Sequence, residues 1–74
     1  MVEITNTTSL GNTIKKVRKA QGLTQSELAA ACGLGRRFLL ELEAGKPTSH
    51  VGKVLQVLNA LGVSLNAIDR KGDL

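Results

Sequence analysis

Near the N-terminus the apolar residues recur at the spacing of a helix. Leu10, Ile14 and Val17 lie at i, i+4 and i+7, with lysine and arginine between them. This spacing puts the three side chains on one face of a helix, which we predict over about residues 10–21. The polar residues before it are typical of a loop that leads into a helix, and Gly22 is placed to end it.

Two shorter helices are predicted next, separated by a glycine. Thr24 and Glu27 have the spacing of a capping box, in which each side chain bonds the other residue's backbone amide. A helix is therefore expected over about residues 25–32. Gly33 ends it, and a third helix follows over about residues 36–44. The apolar positions of these two helices are Leu28, Cys32, Leu39 and Leu42.

A fourth helix is predicted over about residues 50–61, with Thr48 or Ser49 as its N-cap. Its apolar stripe comprises Val51, Val54, Leu55, Leu58 and Leu61. After the next glycine, residues 63–69 alternate apolar and polar, which predicts a strand. A lone strand forms no sheet, so its partner must be the N-terminal segment 2–4 or a second subunit.

The segment 24–44 meets the steric requirements of a helix-turn-helix. Two short helices cross steeply where a small residue lies at their contact, and Ala29 is such a residue. The turn needs a residue that tolerates positive φ, and Gly33 supplies it. Apolar residues surround both positions: Leu28, Cys32, Leu34, Leu39 and Leu42. The alternative is an ordinary helical hairpin with a glycine turn, which explains fewer of these positions.

Length and charge narrow the functional classes. The 74 residues suffice for one compact domain, 1–74, and a domain this small gains stability from dimerisation. The formal net charge is +4. Clustered basic residues favour a polyanionic partner such as DNA, although a solvated helix face has the same composition. The clusters are Lys15, Lys16, Arg18 and Lys19, then Arg36 and Arg37, then Arg70 and Lys71.

Composition argues against several other kinds of site. With one cysteine, Cys32, and one histidine, His50, a disulfide within the chain is impossible and a metal site is not expected. A single aromatic residue argues against stacking platforms for single-stranded nucleic acid. No catalytic constellation is evident, so we expect neither an enzyme nor a cofactor. No apolar run approaches the ~20 residues of a membrane span, and the N-terminus is polar, so we expect a cytoplasmic protein.

Residues 18–29, continued by 42–47, closely resemble the lambda-repressor/Cro-like (XRE) helix-turn-helix family. The resemblance covers residues 10–65, and the stretches 36–48 and 61–65 look most like HipB-type antitoxins. It implies an all-α, lambda-repressor-like bundle of four to five helices. It also implies that the short C-terminal strand pairs across a dimer.

The resemblance implies a function as well. The protein would be a homodimeric, sequence-specific repressor that binds a palindromic operator in double-stranded DNA. As a HipB-like antitoxin it would autoregulate a toxin–antitoxin operon and bind a HipA-type kinase toxin. The alternatives are a stand-alone phage-type repressor and a protein-interaction module of the same fold that does not bind DNA.

Candidate base-reading residues lie on the third helix, whose N-terminal residues enter the major groove in this family. Arg36 and Arg37 are its first side chains, and arginine pairs with guanine O6 and N7. One arginine on a base and the other on phosphate is an alternative. Glu41 lies one turn along the same face, where it either accepts a hydrogen bond from cytosine N4 or orients Arg37. We favour the orienting role.

A second set of residues is expected beside the phosphate backbone, around the N-terminus of the second helix, on the third helix and in the loop after it. These residues are Thr24, Gln25, Ser26, Phe38 and Lys46. For Phe38, an apolar contact with a thymine methyl, a fold-back onto the region of the fourth helix and a dimer contact are also open. Leu40 is expected to be more exposed than leucine prefers, and we favour a fold-back or a dimer contact for it.

The resemblance also assigns structural roles. In this family the positions of Arg18 and Glu43 form a buried ion pair that ties the first helix to the third. Dimerisation falls to the C-terminal strand at about 63–69. Its candidate residues are Val63, Leu65, Ala67 and Ile68.

Overall fold

The computed structural model describes residues 2–72 and 74 of the chain. In that part of the chain it contains four helices and no strand, which confirms the all-α class. The helices are α1 (Thr7–Ala20), α2 (Gln25–Cys32), α3 (Arg36–Glu43) and α4 (Val51–Leu61). Within the described residues, no helix has the length and apolar character needed to cross a lipid bilayer.

Helix α1 begins at Thr7, three residues earlier than the apolar spacing predicts. The reason is a capping box in the polar residues before the stripe. The Asn6 side chain accepts from the Ser9 amide at 2.8 Å, and Ser9 Oγ accepts from the Asn6 amide at 3.2 Å. The helix therefore starts on these hydrogen bonds, without an apolar residue in its first turn. At the other end, Gly22 has a φ of 73°, in agreement with the expected stop.

Helices α2 and α3 follow their predicted limits closely. Thr24 Oγ1 accepts from the Glu27 amide at 3.0 Å, and Glu27 Oε1 accepts from the Thr24 amide at 2.8 Å, which confirms the predicted capping box. Gly33 has a left-handed φ of 67° and ends α2. Gly35 is the N-cap of α3 and offers no side-chain hydrogen bond there. Because the backbone turns at this point, α3 leaves α2 at a new angle.

Helix α4 has a different N-cap from the one predicted. The cap is His50, whose side chain makes no capping hydrogen bond, so the assignment to Thr48 or Ser49 is wrong. The Ser49 hydroxyl instead donates to the Lys46 carbonyl at 3.3 Å, within the loop before the helix. The hydroxyl therefore stabilises the loop rather than the helix start.

The tail contains no strand within the single chain. Residues 63–69 have no regular secondary structure, and they do not pair with residues 2–4, so that part of the prediction is wrong. A strand exists only where a ladder of backbone hydrogen bonds is available, and the single chain supplies none. The tail does start from an anchored point, because the Val63 amide donates to the Leu58 carbonyl at 2.9 Å. Pairing with a second subunit stays a prediction.

The core is formed by apolar residues from all four helices. Its fully or nearly fully buried members are Ile14, Leu28, Ala29, Leu39, Leu42, Val54, Val57, Leu58 and Leu61. The predicted stripe of α4 needs one correction, since Val57 is buried whereas Val51 and Leu55 are exposed. Apolar residues surround much of α4, so spacing alone did not determine which of them face α2. Cys32 is half-buried at the edge of the core.

One close approach of two helices depends on Gly11, a residue that the sequence pattern does not single out. Gly11 is buried in α1. A Cβ added there would lie 2.5 Å from the Leu42 carbonyl oxygen and 2.8 Å from that of Glu43. Both atoms belong to the backbone at the end of α3, so neither can move aside cheaply. Glycine therefore sets the distance between α1 and α3.

We predict that Gly11→Ala lowers the free energy of unfolding by about 1–3 kcal/mol, because the added methyl overpacks this contact. Helix propensity alone predicts the opposite, a gain of up to about 1 kcal/mol. Gly52→Ala is the matched control: a Cβ at Gly52 in α4 meets only the exposed His50 side chain, at 3.3 Å. Chemical denaturation should rank Gly52→Ala at or above wild type. A Gly11→Ala protein as stable as wild type would contradict the packing argument.

Candidate nucleic-acid interface

The α2–turn–α3 unit leaves one face of α3 free. Ala29 is 2% exposed, and its carbonyl accepts a 2.9 Å hydrogen bond from the Leu34 amide across the Gly33 turn. Leu39 and Leu42 anchor α3 in the core. Since residues about half a turn away on a helix lie on its opposite side, the N-terminal and outer residues of α3 project from the molecule.

Arg36 and Arg37 occupy this projecting edge. Both are exposed, and neither side chain forms a hydrogen bond or ion pair with any residue of 2–72 or with Leu74. Two adjacent guanidinium groups without internal partners form a strongly cationic edge at the start of a helix. Such an edge is suited to the bidentate recognition of guanine or phosphate.

In the single chain Glu41 does not contact Arg37, the residue that we favoured it to orient. Its Oε2 lies 3.4 Å from the Lys46 Nζ, so the carboxylate pairs with the loop after α3 rather than with Arg37. The Lys46 amide also donates to the Glu41 carbonyl at 3.1 Å, which fixes the loop against the helix end. The Lys46 side chain therefore folds back towards α3, and its ammonium group lies beside the Glu41 carboxylate.

The residues at the N-terminus of α2 are partly engaged within the chain. The hydrogen bond from the Thr24 backbone amide holds the pKa of the Glu27 carboxyl below its ordinary value. Gln25 Nε2 donates to Glu43 Oε1 at 3.1 Å, a contact that sequence reasoning missed. Ser26 is exposed. Three of the five candidate phosphate contacts, Thr24, Gln25 and Ser26, thus lie together at the start of α2.

Phe38 folds back towards α4. It is half-buried against the core, and the Lys53 Nζ lies 5.9 Å from its ring centroid, within range of a cation–π contact. Its ring also lines a cleft of about 170 Å³ with residues of the α3–α4 loop. The fold-back alternative thus describes Phe38 in the single chain. It does not describe Leu40, whose side chain remains 45% exposed.

A buried ion pair lies at the opposite end of α3 from Arg36 and Arg37. The Arg18 Nε donates to Glu43 Oε2 at 2.6 Å, and the Nη2 donates to Oε1 at 3.0 Å. Each residue is only 7% exposed. The remaining Arg18 nitrogen, Nη1, donates to the Leu23 carbonyl at 2.7 Å. With the Gln25 contact, this network joins α1, the α1–α2 turn, the start of α2 and the end of α3.

The network also sets the charge states of its members. The hydrogen bond to Glu43 raises the pKa of Arg18. Burial by itself raises the pKa of Glu43, but the hydrogen bonds from Arg18 and Gln25, with the charges of Arg18 and Lys15, outweigh it and lower the pKa below the ordinary value. Both groups are therefore charged near neutral pH. Burial raises the pKa of the Cys32 thiol, which keeps that group protonated.

Comparison with known proteins decides the family. The helix-turn-helix family model matches residues 14–68. The chain belongs to the helix-turn-helix family. It is 52% identical over 59 residues to the uncharacterized HTH-type transcriptional regulator y4mF of Sinorhizobium fredii, covering 80% of this chain and 78% of that protein. It is 33% identical over 60 residues to the immunity repressor protein of Bacillus phage phi105, covering 81% of this chain and 42% of the repressor.

Solved structures of this helix-turn-helix family show the same arrangement. The chain is similar to a chain in the HipA–HipB–O2–O3 complex, with a TM-score of 0.87 and 28% identity over 95% of this chain and 99% of that one. It is equally similar to the HipB–O4 20mer complex, with a TM-score of 0.86, the same identity and the same coverage. The XRE-type resemblance read from the sequence is thus confirmed, and the protein belongs to the family of helix-turn-helix transcriptional regulators.

The buried pair generates a pH prediction. We expect Glu43→Gln to lower the free energy of unfolding by about 3–5 kcal/mol at pH 7, because it leaves the buried Arg18 charge uncompensated. The folded-state pKa of Glu43 is depressed. Its contribution is therefore complete above the unfolded pKa of about 4.3 and is lost as the pH falls through the folded pKa.

Chemical denaturation of wild type and Glu43→Gln between pH 7 and pH 3 tests this expectation. The gap in stability between the two proteins should narrow as the pH falls from about 4.3 to the lower folded pKa of Glu43, because over that range unfolded wild type binds a proton that the folded protein does not. Glu3→Gln is the control, because it removes the same charge from an exposed position. A gap that stays constant over this range would show that the Glu43 charge contributes nothing.

Proposed function

We propose that this regulator is a homodimeric, sequence-specific repressor that reads a palindromic operator with the N-terminal edge of α3. The observation that carries the proposal is the exposed Arg36–Arg37 pair, which has no internal partner among the described residues. Arginine to guanine O6 and N7 is the commonest specific base contact, so G·C pairs are expected in each half-site. The cytoplasmic location expected from composition is part of the same proposal.

The surrounding residues would position the protein on the backbone. Thr24, Gln25 and Ser26 lie at the N-terminus of α2, whose free amides and dipole favour a phosphate. The Gln25 amide group has two hydrogens, and Glu43 uses one of them, so the second can donate to DNA. Lys46, in the loop after α3, would add a further phosphate contact. Phe38 would contribute through packing beneath this edge.

The dimer is proposed to form through the tail and the adjacent end of α4. Leu65 and Ile68 are 60% and 66% exposed in the single chain, and Leu55 of α4 is 42% exposed. A shallow groove of about 430 Å³ lies between α4 and the tail. Pairing of residues 63–69 with a second copy would bury these apolar side chains, including Val63 and Ala67.

The similar structures suggest a toxin partner. They are HipB complexes, one of them with HipA and two operators. We therefore propose that this chain is an antitoxin that binds a HipA-type kinase and autoregulates its own operon. The second candidate, a stand-alone repressor, draws on the similarity to the phage phi105 immunity repressor. Co-purification of the chain with a kinase encoded beside it distinguishes the two.

Selection of bound duplexes from a random pool tests the DNA-binding proposal directly. The expected product is a palindrome whose half-sites lie about one helical turn apart, ~34–36 Å, or a multiple of this distance. Pools without any enriched sequence at moderate salt would favour the protein-interaction module instead.

Arg36→Ala and Arg37→Ala are each predicted to weaken binding to the selected operator by about 1–3 kcal/mol and to relax the preference at one base pair. Titration of labelled duplexes substituted at each position measures both effects. An arginine whose loss weakens binding equally on all duplexes is a phosphate contact. Lys16→Ala, which removes an exposed cation from α1, is the control and should leave base preference unchanged.

Deleting residues 63–74 is predicted to shift the protein from dimer to monomer and to weaken operator binding accordingly. The double variant Leu65→Asp and Ile68→Asp should do the same, and because both side chains are exposed in the single chain it should fold normally. Val51→Asp, another exposed apolar residue, is the matched control. Sedimentation of each protein over a dilution series measures the fraction that is dimeric. A truncated chain that stays dimeric at low concentration would exclude tail pairing.

A further inference from the structure

Glu41 introduces a negative charge into the surface that the proposed function presents to DNA. It lies one turn after Arg37, so their side chains share a face of α3. Phosphates repel carboxylates, and a carboxylate on this face therefore weakens binding unless something compensates it. In the free protein Lys46 compensates it, at 3.4 Å.

The position of Lys46 is set by several contacts beyond the ion pair. Its amide bonds the Glu41 carbonyl at 3.1 Å, and Gly45 before it has a φ of 85°. The Thr7 hydroxyl of α1 donates to the Gly45 carbonyl at 2.8 Å, which ties the loop to the first helix. The loop thus holds Lys46 next to Glu41 as a feature of the fold.

The pair itself contributes little to stability. The Lys46 and Glu41 side chains are 44% and 36% exposed, and ion pairs that water reaches to this extent are weak. A weak, exposed pair exchanges partners easily. Its charges can therefore respond to a ligand, which the buried Arg18–Glu43 pair cannot do.

We propose that Glu41 and Lys46 act together as a specificity device, one that rests on the proposed function. On any duplex a phosphate competes with Glu41 for Lys46. When Lys46 moves to the phosphate, the Glu41 carboxylate is left facing polyanionic DNA, and binding is weakened. Where a cytosine faces Glu41, its N4 amino group donates to the carboxylate and compensates it. The pair thus penalises sequences without that cytosine.

The affinities of four proteins for DNA duplexes test the proposal. The proteins are wild type, Glu41→Gln, Lys46→Gln and the double variant. The duplexes are the operator selected by wild type, the same operator with each G·C pair replaced, and a scrambled duplex of equal length. Glu41→Gln should bind the scrambled duplex about two- to fivefold more tightly, since the penalty is removed. It should also lose about fivefold or more of its discrimination at one G·C position.

The salt dependence separates a coupled pair from two independent charges. On the scrambled duplex, where Glu41 still competes with phosphate for Lys46, the slope of log K against log salt should steepen by up to about 0.9 in Glu41→Gln. That steepening should be absent when Glu41→Gln is made in the Lys46→Gln background. Equal changes of slope in the wild-type and Lys46→Gln backgrounds would show that the two charges act independently, and would overturn the proposal.

The controls keep this inference distinct from the proposed function. Glu3→Gln removes the same charge from the exposed segment before α1 and should leave discrimination unchanged. Thermal unfolding should show that every variant is folded. A wild-type protein with no sequence preference would overturn the proposed function and the inference together. A wild-type preference that Glu41→Gln leaves intact would overturn the inference alone.

Discussion

The carboxylate of Glu43 accepts hydrogen bonds from two directions in a part of the molecule that water hardly reaches. Arg18 approaches it from α1 and Gln25 from the start of α2. Because an uncompensated charge in such a place is costly, the three helices can pack only in the arrangement that brings these groups together. The Arg18 bond to the Leu23 carbonyl extends this constraint to the turn before α2. The orientation of the helix-turn-helix depends on it.

The same network connects the scaffold to the exposed surface. Gln25, a candidate phosphate contact, is held by the buried carboxylate at the other end of α3 from Arg36 and Arg37. Gly11 allows α1 to approach the backbone of α3 directly behind that carboxylate. Rigid packing on the inner side of α3 and free guanidinium groups on its outer edge serve the same role. A recognition helix must be held firmly on one side so that its other side meets a groove in one orientation.

The two carboxylates of α3 form two different kinds of ion pair. The buried pair between α1 and α3 cannot exchange partners without a large cost, so it acts on stability. The exposed pair between α3 and its following loop exchanges readily, so its effect falls on ligands. The distinction follows from exposure to water and not from the identity of the residues, since each pair joins a carboxylate to one basic side chain.

Local chemistry in the sequence was enough for the helices, the Thr24–Glu27 capping box, the Gly33 turn and the family, because each depends on residues close together along the chain. Tertiary structure decided the rest. It determined that Val57 rather than Val51 is buried, that Glu41 pairs with Lys46, that Gln25 joins the ion pair, and that Gly11 cannot be replaced without strain. Each of these outcomes depends on atoms from a different segment, whose distance and orientation no local pattern encodes.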